Sequence, residues 1–271
     1  MFKRYPLLTL ALIGGYAFLY LPILSLIVYS FNESRLVTVW GGFSTKWYGE
    51  LFNNGPLLDA AWLSIKIGAL NATLAVVLGT MAALALVRFR GSRGQKSLGV
   101  MVTAPLVMPE IIIGLSLLLL FVAMEDLLGW PQGRGQTTIL LAHVTFSMAY
   151  VTVIVQSRLT HMDKSIEEAA LDLGARPVKV FFTITLPMIA PALMAGWLLA
   201  FTLSMDDLVI ASFVSGPGST TLPMVVYSSV RLGVSPQINA LATIIILVVA
   251  LAVLLAGIFM YRKEMQSQKK S

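Results

Sequence analysis

Three carboxylates stand inside or at the rim of long apolar stretches, where an unpaired charge is costly. Glu110 follows Met108-Pro109 and precedes Ile111-Ile112-Ile113, and Asp206-Asp207 close a run, 180–205, that holds no charged residue. If such a stretch crosses a bilayer, a carboxylate near its middle costs on the order of 2.5–3.5 kcal/mol even on lenient scales, so it must face a cavity, a pathway or a partner. Fixed carboxylates in that setting can hold a cation. Lys66 is the basic residue set against them within the apolar stretches, the opposite of the balance an anion path needs. Adjacent acids on a helix point about 100° apart, so one of the two aspartates faces such a path. His143, Ser147 and Tyr150 recur at +4 and +3 as one polar stripe. A tyrosine face attracts an ammonium group; hydrogen bonding between helices is the other reading of the stripe. Glu110 also has a second reading, as a neutral acid bonded to carbonyls freed by Pro105 and Pro109.

The elements that must position these residues follow from composition. The chain has 271 residues, of which 57 % are hydrophobic and 12 % charged, with mean hydropathy +0.84. Soluble domains carry about 25 % charge. Runs 5–32, 67–87, 135–157 and 180–205 contain no Asp, Glu, Lys or Arg. About 20 such residues suffice for one spanning helix. The expected fold is therefore an all-α membrane protein, a single domain over 1–271. Six transmembrane helices are expected near 7–30, 60–87, 98–123, 137–157, 186–207 and 240–261. Counting 12 residues from Leu98 at about 1.5 Å each places Glu110 roughly 18 Å into the third span, near the bilayer middle. Absence of cysteine excludes a disulfide scaffold and a thiolate site, and His143 and His161 are too far apart along the helix to share a metal.

The net charge of +6 has a topological origin. The N-terminal tail (Lys3, Arg4), the second-to-third connection (Arg88, Arg90, Arg93, Lys96), the fourth-to-fifth connection (Arg158, Lys164, Arg176, Lys179) and the C-terminal tail (Arg262, Lys263, Lys269, Lys270) hold fourteen basic residues; the alternate connections hold four. Basic connections stay cytoplasmic, which puts both termini inside and leaves no basic patch for nucleic acid. The first apolar run is too long for a cleaved leader and reads as an anchor.

The fourth-to-fifth connection, 158–186, carries its own pattern. Ser165 precedes Glu168 at capping-box spacing, and Ile166, Ala169, Ala170 and Leu173 share one helical face. Gly174 stands where a helix end takes a left-handed residue, and Pro177 suits the first turn of a second short helix. This predicts a helix–turn–helix on the inner membrane surface with an acidic edge of Glu167, Glu168 and Asp172. Glu168-Ala169-Ala170, then Gly174, then Ile184, Leu186 and Pro187 form a pattern that resembles, at every element, the EAA signature loop of permease subunits of bacterial ABC importers.

That resemblance implies a type I importer permease with the MetI-like fold. It implies that the loop docks into a cytoplasmic ATPase, with Glu168 as an edge contact, Ala169 and Ala170 allowing close approach, and Gly174 as the turn. It also implies the partners: a second homologous permease, two copies of the ABC ATPase, a periplasmic substrate-binding protein and the inner-membrane lipid bilayer. ATP and Mg would sit on the ATPase, and this chain would bind no cofactor. In agreement, no Gly-x-x-x-x-Gly-Lys-Ser/Thr phosphate loop occurs. Ser30-Phe31-Asn32, Trp47-Tyr48, Ala104 to Glu110 and Ser204 to Ile210 are most similar to the polyamine permeases, those for putrescine above all. The resemblance thus implies polyamine import, with Glu110, Asp206, Asp207 and Tyr150 along the substrate path. Related permeases for other small organic or cationic solutes share parts of these segments. From other classes, a membrane enzyme using intramembrane carboxylates and a channel or gradient-driven transporter remain the rival readings.

Overall fold

Lipid offers no hydrogen-bond partner to a peptide group, so the uncharged runs close their backbone bonds within helices. The computed structural model describes residues 6–36, 39–89, 91–232 and 235–268, and leaves out the side chains of 6, 93, 232, 252, 253 and 255–268. Of the basic residues counted above, Lys3, Arg4, Arg90, Lys269 and Lys270 lie outside the described residues, as do the side chains of Arg93, Arg262 and Lys263. Twelve α-helices are described: α1 (Pro6–Ser30), α2 (Lys46–Phe52), α3 (Gly55–Arg88), α4 (Arg93–Thr103), α5 (Glu110–Leu128), α6 (Gln136–Thr160), α7 (Ser165–Asp172), α8 (Pro177–Val180), α9 (Leu186–Asp206), α10 (Val209–Val214), α11 (Leu222–Leu232) and α12 (Pro236–Gln268). Five stretches are long and apolar enough to cross a membrane, namely α1, α3, α5, α6 and the run from Pro177 to Asp206; the apolar start of α12, Pro236–Leu251, falls at the sixth expected position.

The chain clusters into two units. The first comprises 1–58 and 226–271, where α1 and α2 pack against α12. Its loop is knotted by Asn32, which is buried. Asn32 Oδ1 accepts from the backbone of Ser34 and Gly41, its Nδ2 donates to the carbonyl of Val39 (2.7 Å), and its own carbonyl accepts from Trp47 Nε1 (2.6 Å). Ser30 Oγ and Tyr48 OH lie 2.7 Å apart. The stretch 31–59 contains a helix, α2, whose Trp47 and Leu51 are buried.

The second unit, 59–225, is built on α6. One cluster groups Leu63, Ile113, Phe121, Ile139, Phe146 and Ile210; another groups Ala75, Ala83, Val151, Val155, Ile189 and Ala200. Small residues let the helices close in. A Cβ on Gly79 would lie 2.9 Å from Val151 Cβ and 3.1 Å from the Met148 carbonyl, and one on Gly196 would lie 3.3 Å from Val151 Cγ1. The stripes Ala75-Gly79-Ala83 and Ala192-Gly196-Ala200 thus receive Val151 from both sides, the packing their spacing suggests. Asn71 Nδ2 donates to Ser147 Oγ (3.0 Å) and to the Ala200 carbonyl (2.8 Å), joining α3, α6 and α9.

Two spans differ from expectation. The third is not one helix: α4 ends at Thr103, a 3-10 turn covers Ala104–Leu106, and Pro109 caps α5. Proline lacks an N–H and displaces its predecessor from helical geometry, so Pro105 and Pro109 divide the stretch. The depth assigned to Glu110 assumed an unbroken helix from Leu98 and does not stand. The fifth span, conversely, starts early. From Pro177 the chain runs as α8, a π segment (Phe181–Thr185) and α9, with no break at Leu186. Pro187 cannot donate to the Thr183 carbonyl four residues back, and a wider turn there removes the clash that an α turn would impose.

Candidate functional site

The patterned connection forms its turn in a different way at each end. Asp163 Oδ1 accepts from the Ser165 N–H at 2.9 Å and starts α7, taking the place expected of a Ser165–Glu168 capping box. The Ser165 backbone bond, with a smaller share from its side chain, holds the Asp163 carboxyl below its ordinary range. At the other end Gly174 has φ +82°, and its N–H donates to the Leu171 carbonyl (2.9 Å) while that of Ala175 reaches Ala170 (3.1 Å). This is a Schellman-type closure. Pro177 is the first residue of α8, as its spacing predicts.

The orientation of α7 overturns one expectation. Its inward residue is Glu167, which is buried, whereas Ile166, Ala169 and Leu173 are exposed. The apolar face is largely open among the described residues, with Leu173 89 % accessible. Glu167 therefore leaves the acidic edge, where Glu168 and Asp172 remain exposed. Ala170, Ile184 and Leu186 are half-buried, and Pro187 is exposed. Glu167 meets two residues from which the sequence gives no hint. Arg88 Nη2 donates to Glu167 Oε1 at 2.8 Å and Oε2 at 3.0 Å, and Thr185 Oγ1 donates to Oε1.

The acids expected along a path separate into two kinds. Glu110 is the first residue of α5, exposed, with no ion-pair partner among the described residues. Asp206 is the last residue of α9 and exposed. Asp207 is turned inward: Oδ2 meets His143 Nε2 at 3.1 Å and the Ala211 N–H at 2.7 Å, and Oδ1 accepts from Ile210 N–H at 3.2 Å. It therefore caps α10 and orients a buried imidazole. A carboxylate can only accept, so His143 Nε2 donates to Asp207, while Nδ1 lies 2.7 Å from Ser204 Oγ. His143 and Ser147 are both used in helix-to-helix bonds, the second reading of the polar stripe, while Tyr150 stays half-buried against Phe146. Both exposed acids sit where a helix is interrupted. Asp207 leaves helical geometry (φ −69°, ψ 121°), which frees the last carbonyls of α9 beside Asp206 for other partners. A helix C-terminus with a carboxylate is a cation-favouring end.

The comparisons with known proteins agree with this architecture. Residues 75–264 match the binding-protein-dependent transport system inner membrane component family. The chain is 60 % identical over 263 residues to the putrescine transport system permease protein PotI of Escherichia coli (strain K12), covering 97 % of this chain and 94 % of that protein. It is 45 % identical over 242 residues to the spermidine/putrescine transport system permease protein PotC of the same organism, covering 89 % of each. A solved bacterial ABC transporter that imports the acidic polysaccharide alginate shares the fold, with TM-score 0.71 at 17 % identity over 96 % of this chain and 97 % of that one. A helical chain with several membrane-crossing stretches, a patterned turn between its fourth and fifth crossings and this likeness over nearly its whole length belongs to the binding-protein-dependent inner-membrane transport components, as a multi-pass permease subunit of an ABC importer.

Proposed function

We propose that this permease carries putrescine inward, with the exposed carboxylates Glu110 and Asp206 as successive stations and Tyr150 as a further contact. The observation that supports it most is the 60 % identity to a putrescine permease over nearly both full lengths. The chemistry fits. A diammonium chain loses hydration in the membrane and needs carboxylates that hold it strongly enough to enter and weakly enough to leave. Asp206 ends α9, where freed carbonyls add acceptors for ammonium N–H groups, whereas Glu110 opens α5 and contributes its charge alone. Asp207, committed to His143 and α10, serves the path by fixing the break that presents Asp206.

The α7–Gly174–α8 turn is the contact for the ATPase. Glu168 is its polar edge, Ala169 and Ala170 permit close approach, and Ile184, Leu186 and Pro187 lead the movement into α9. The open apolar face of α7 supports this reading, because Leu173 and, in part, Ile166 are left exposed among the described residues. The working assembly is this chain, a second permease, two ATPase copies and a periplasmic binding protein, with both termini of this chain cytoplasmic. ATP and Mg belong to the ATPase, since this chain has no phosphate loop.

The test is putrescine uptake by the reconstituted complex carrying Glu110→Gln, which keeps shape and removes charge. Uptake falls at least tenfold, about 1.4 kcal/mol in the limiting step, with unchanged complex yield. Normal uptake by Glu110→Gln and by Asp206→Asn would remove the cation path. Uptake of another small cation in preference to putrescine would reassign the substrate and keep the path.

A further inference from the structure

We propose that Arg88, Glu167 and Thr185 form the mechanical joint through which the coupling turn drives the membrane helices, with Glu167 as its positioning residue. The inference rests on the reading of that turn as the ATPase contact. Glu167 is the buried acid of a short helix whose neighbouring residues are open. Its carboxylate is grasped from two directions, by the last residue of α3 and by the last residue of the π segment that leads into α9. Arg88 and Glu167 line grooves of about 300 and about 420 Å³ on either side, so α7 stands off from α3 on both flanks and the ion pair is the bridge across.

The two helices held at this joint are also pinned to each other higher up, where Asn71 on α3 donates to the Ala200 carbonyl on α9. Asn71 lies 17 residues above Arg88, about 25 Å along the helix. A lower grip and an upper pin on the same two helices make a lever. A displacement of α7 pulls both lower ends together, and the pin sets the pivot. A carboxylate suits such a grip because it accepts from a guanidinium and a hydroxyl at once, and charge-assisted bonds are short and directional. Two apolar residues in contact would slide.

The experiment uses the reconstituted full complex and reads putrescine transported per ATP hydrolysed, together with complex yield. Glu167→Gln and Arg88→Gln each lower the ratio at least tenfold at normal yield, and the double change is no worse than either alone. The chain has no native cysteine, so an Arg88→Cys/Glu167→Cys pair can be bridged by a short bifunctional thiol reagent. The unbridged pair is uncoupled, and bridging restores the ratio, a recovery that a purely stabilising role would not produce. If Glu167→Gln does not assemble, Thr185→Val, which removes the hydroxyl alone, must lower the ratio. An unchanged ratio in the assembled variants, or an additive loss in the double, overturns the joint. Leu173→Asp on the open face separates this failure from failure of the underlying reading. Loss of ATPase coupling in Leu173→Asp with normal coupling in Glu167→Gln rejects the joint alone, and normal coupling in both rejects the docking turn.

Discussion

Replacing Gly174 isolates the conformational demand of the coupling turn from any question of space. At φ +82° the residue lies in the left-handed region, and a Cβ built there meets no atom within 4 Å. A side chain at this position is therefore strained without colliding. The left-handed conformation costs a residue with a Cβ roughly 1–2 kcal/mol, with β-branched residues at the upper end and asparagine well below it. If the docked state needs the turn as observed, those values lower ATPase affinity about 5-fold for Gly174→Ala and about 30-fold for Gly174→Val, at about 1.4 kcal/mol per tenfold. Gly174→Asn stays near the parent. The assay is titration of the permease with its ATPase in nanodiscs, read alongside putrescine-stimulated ATP hydrolysis. The order parent, Asn, Ala, Val is the signature of backbone strain. An asparagine variant as weak as valine would point to bulk at the docking face and refute the reasoning, as would equal affinity across all four.

Asp206→Asn lowers putrescine uptake without moving the melting temperature of the complex. Asp207→Ala does the reverse, because His143 and the first N–H groups of α10 lose their acceptor, at about 1–3 kcal/mol for each buried group left unpaired; equal melting of the two variants would contradict this assignment. Gly79→Ala destabilises by about 1–3 kcal/mol through overpacking against Val151, less about 1 kcal/mol regained in helix propensity. Gly15→Ala in α1, with nothing within 4 Å, gains that increment alone. Thermal melting in detergent separates the two glycines, and equal tolerance would discard the close α3–α6 crossing.

The parts of this protein that were legible beforehand are those governed by local rules. Uncharged runs marked α1, α3, α6 and α9 because lipid penalises charge residue by residue. Gly174 and Pro177 were legible because their backbone limits are intrinsic to the residue type. Small residues four apart, Ala75-Gly79-Ala83 and Ala192-Gly196-Ala200, permit close crossings, but their shared target, Val151, has no mark in the sequence. What failed depended on contacts distant in the chain. Glu167 was placed on the acidic edge of α7 since periodicity marks a face but not the neighbour it awaits. Arg88, 79 residues upstream, draws Glu167 inward. Asp207 looked equivalent to Asp206 until His143, 64 residues away, claimed it. Pro105 and Pro109 signalled a kink, yet the inference about depth ran an ideal helix straight through them.

The π segment has a consequence for how this chain can vary. A π turn closes on the fifth residue where an α turn closes on the fourth, so Phe181–Thr185 stores one residue of surplus winding. That surplus is already absorbed by the wider turn, so loss of one residue would return the stretch to ordinary pitch with little rotation, whereas one further residue would rotate everything before it by about 100° relative to α9. Glu167 would then swing away from Arg88, and the open side of α7 would aim at a different quarter of the cytoplasm. The length of this short stretch, more than the identity of its side chains, sets the angular address at which the turn is delivered. Within it substitutions are tolerated wherever helix and Thr185 survive, whereas insertions are not.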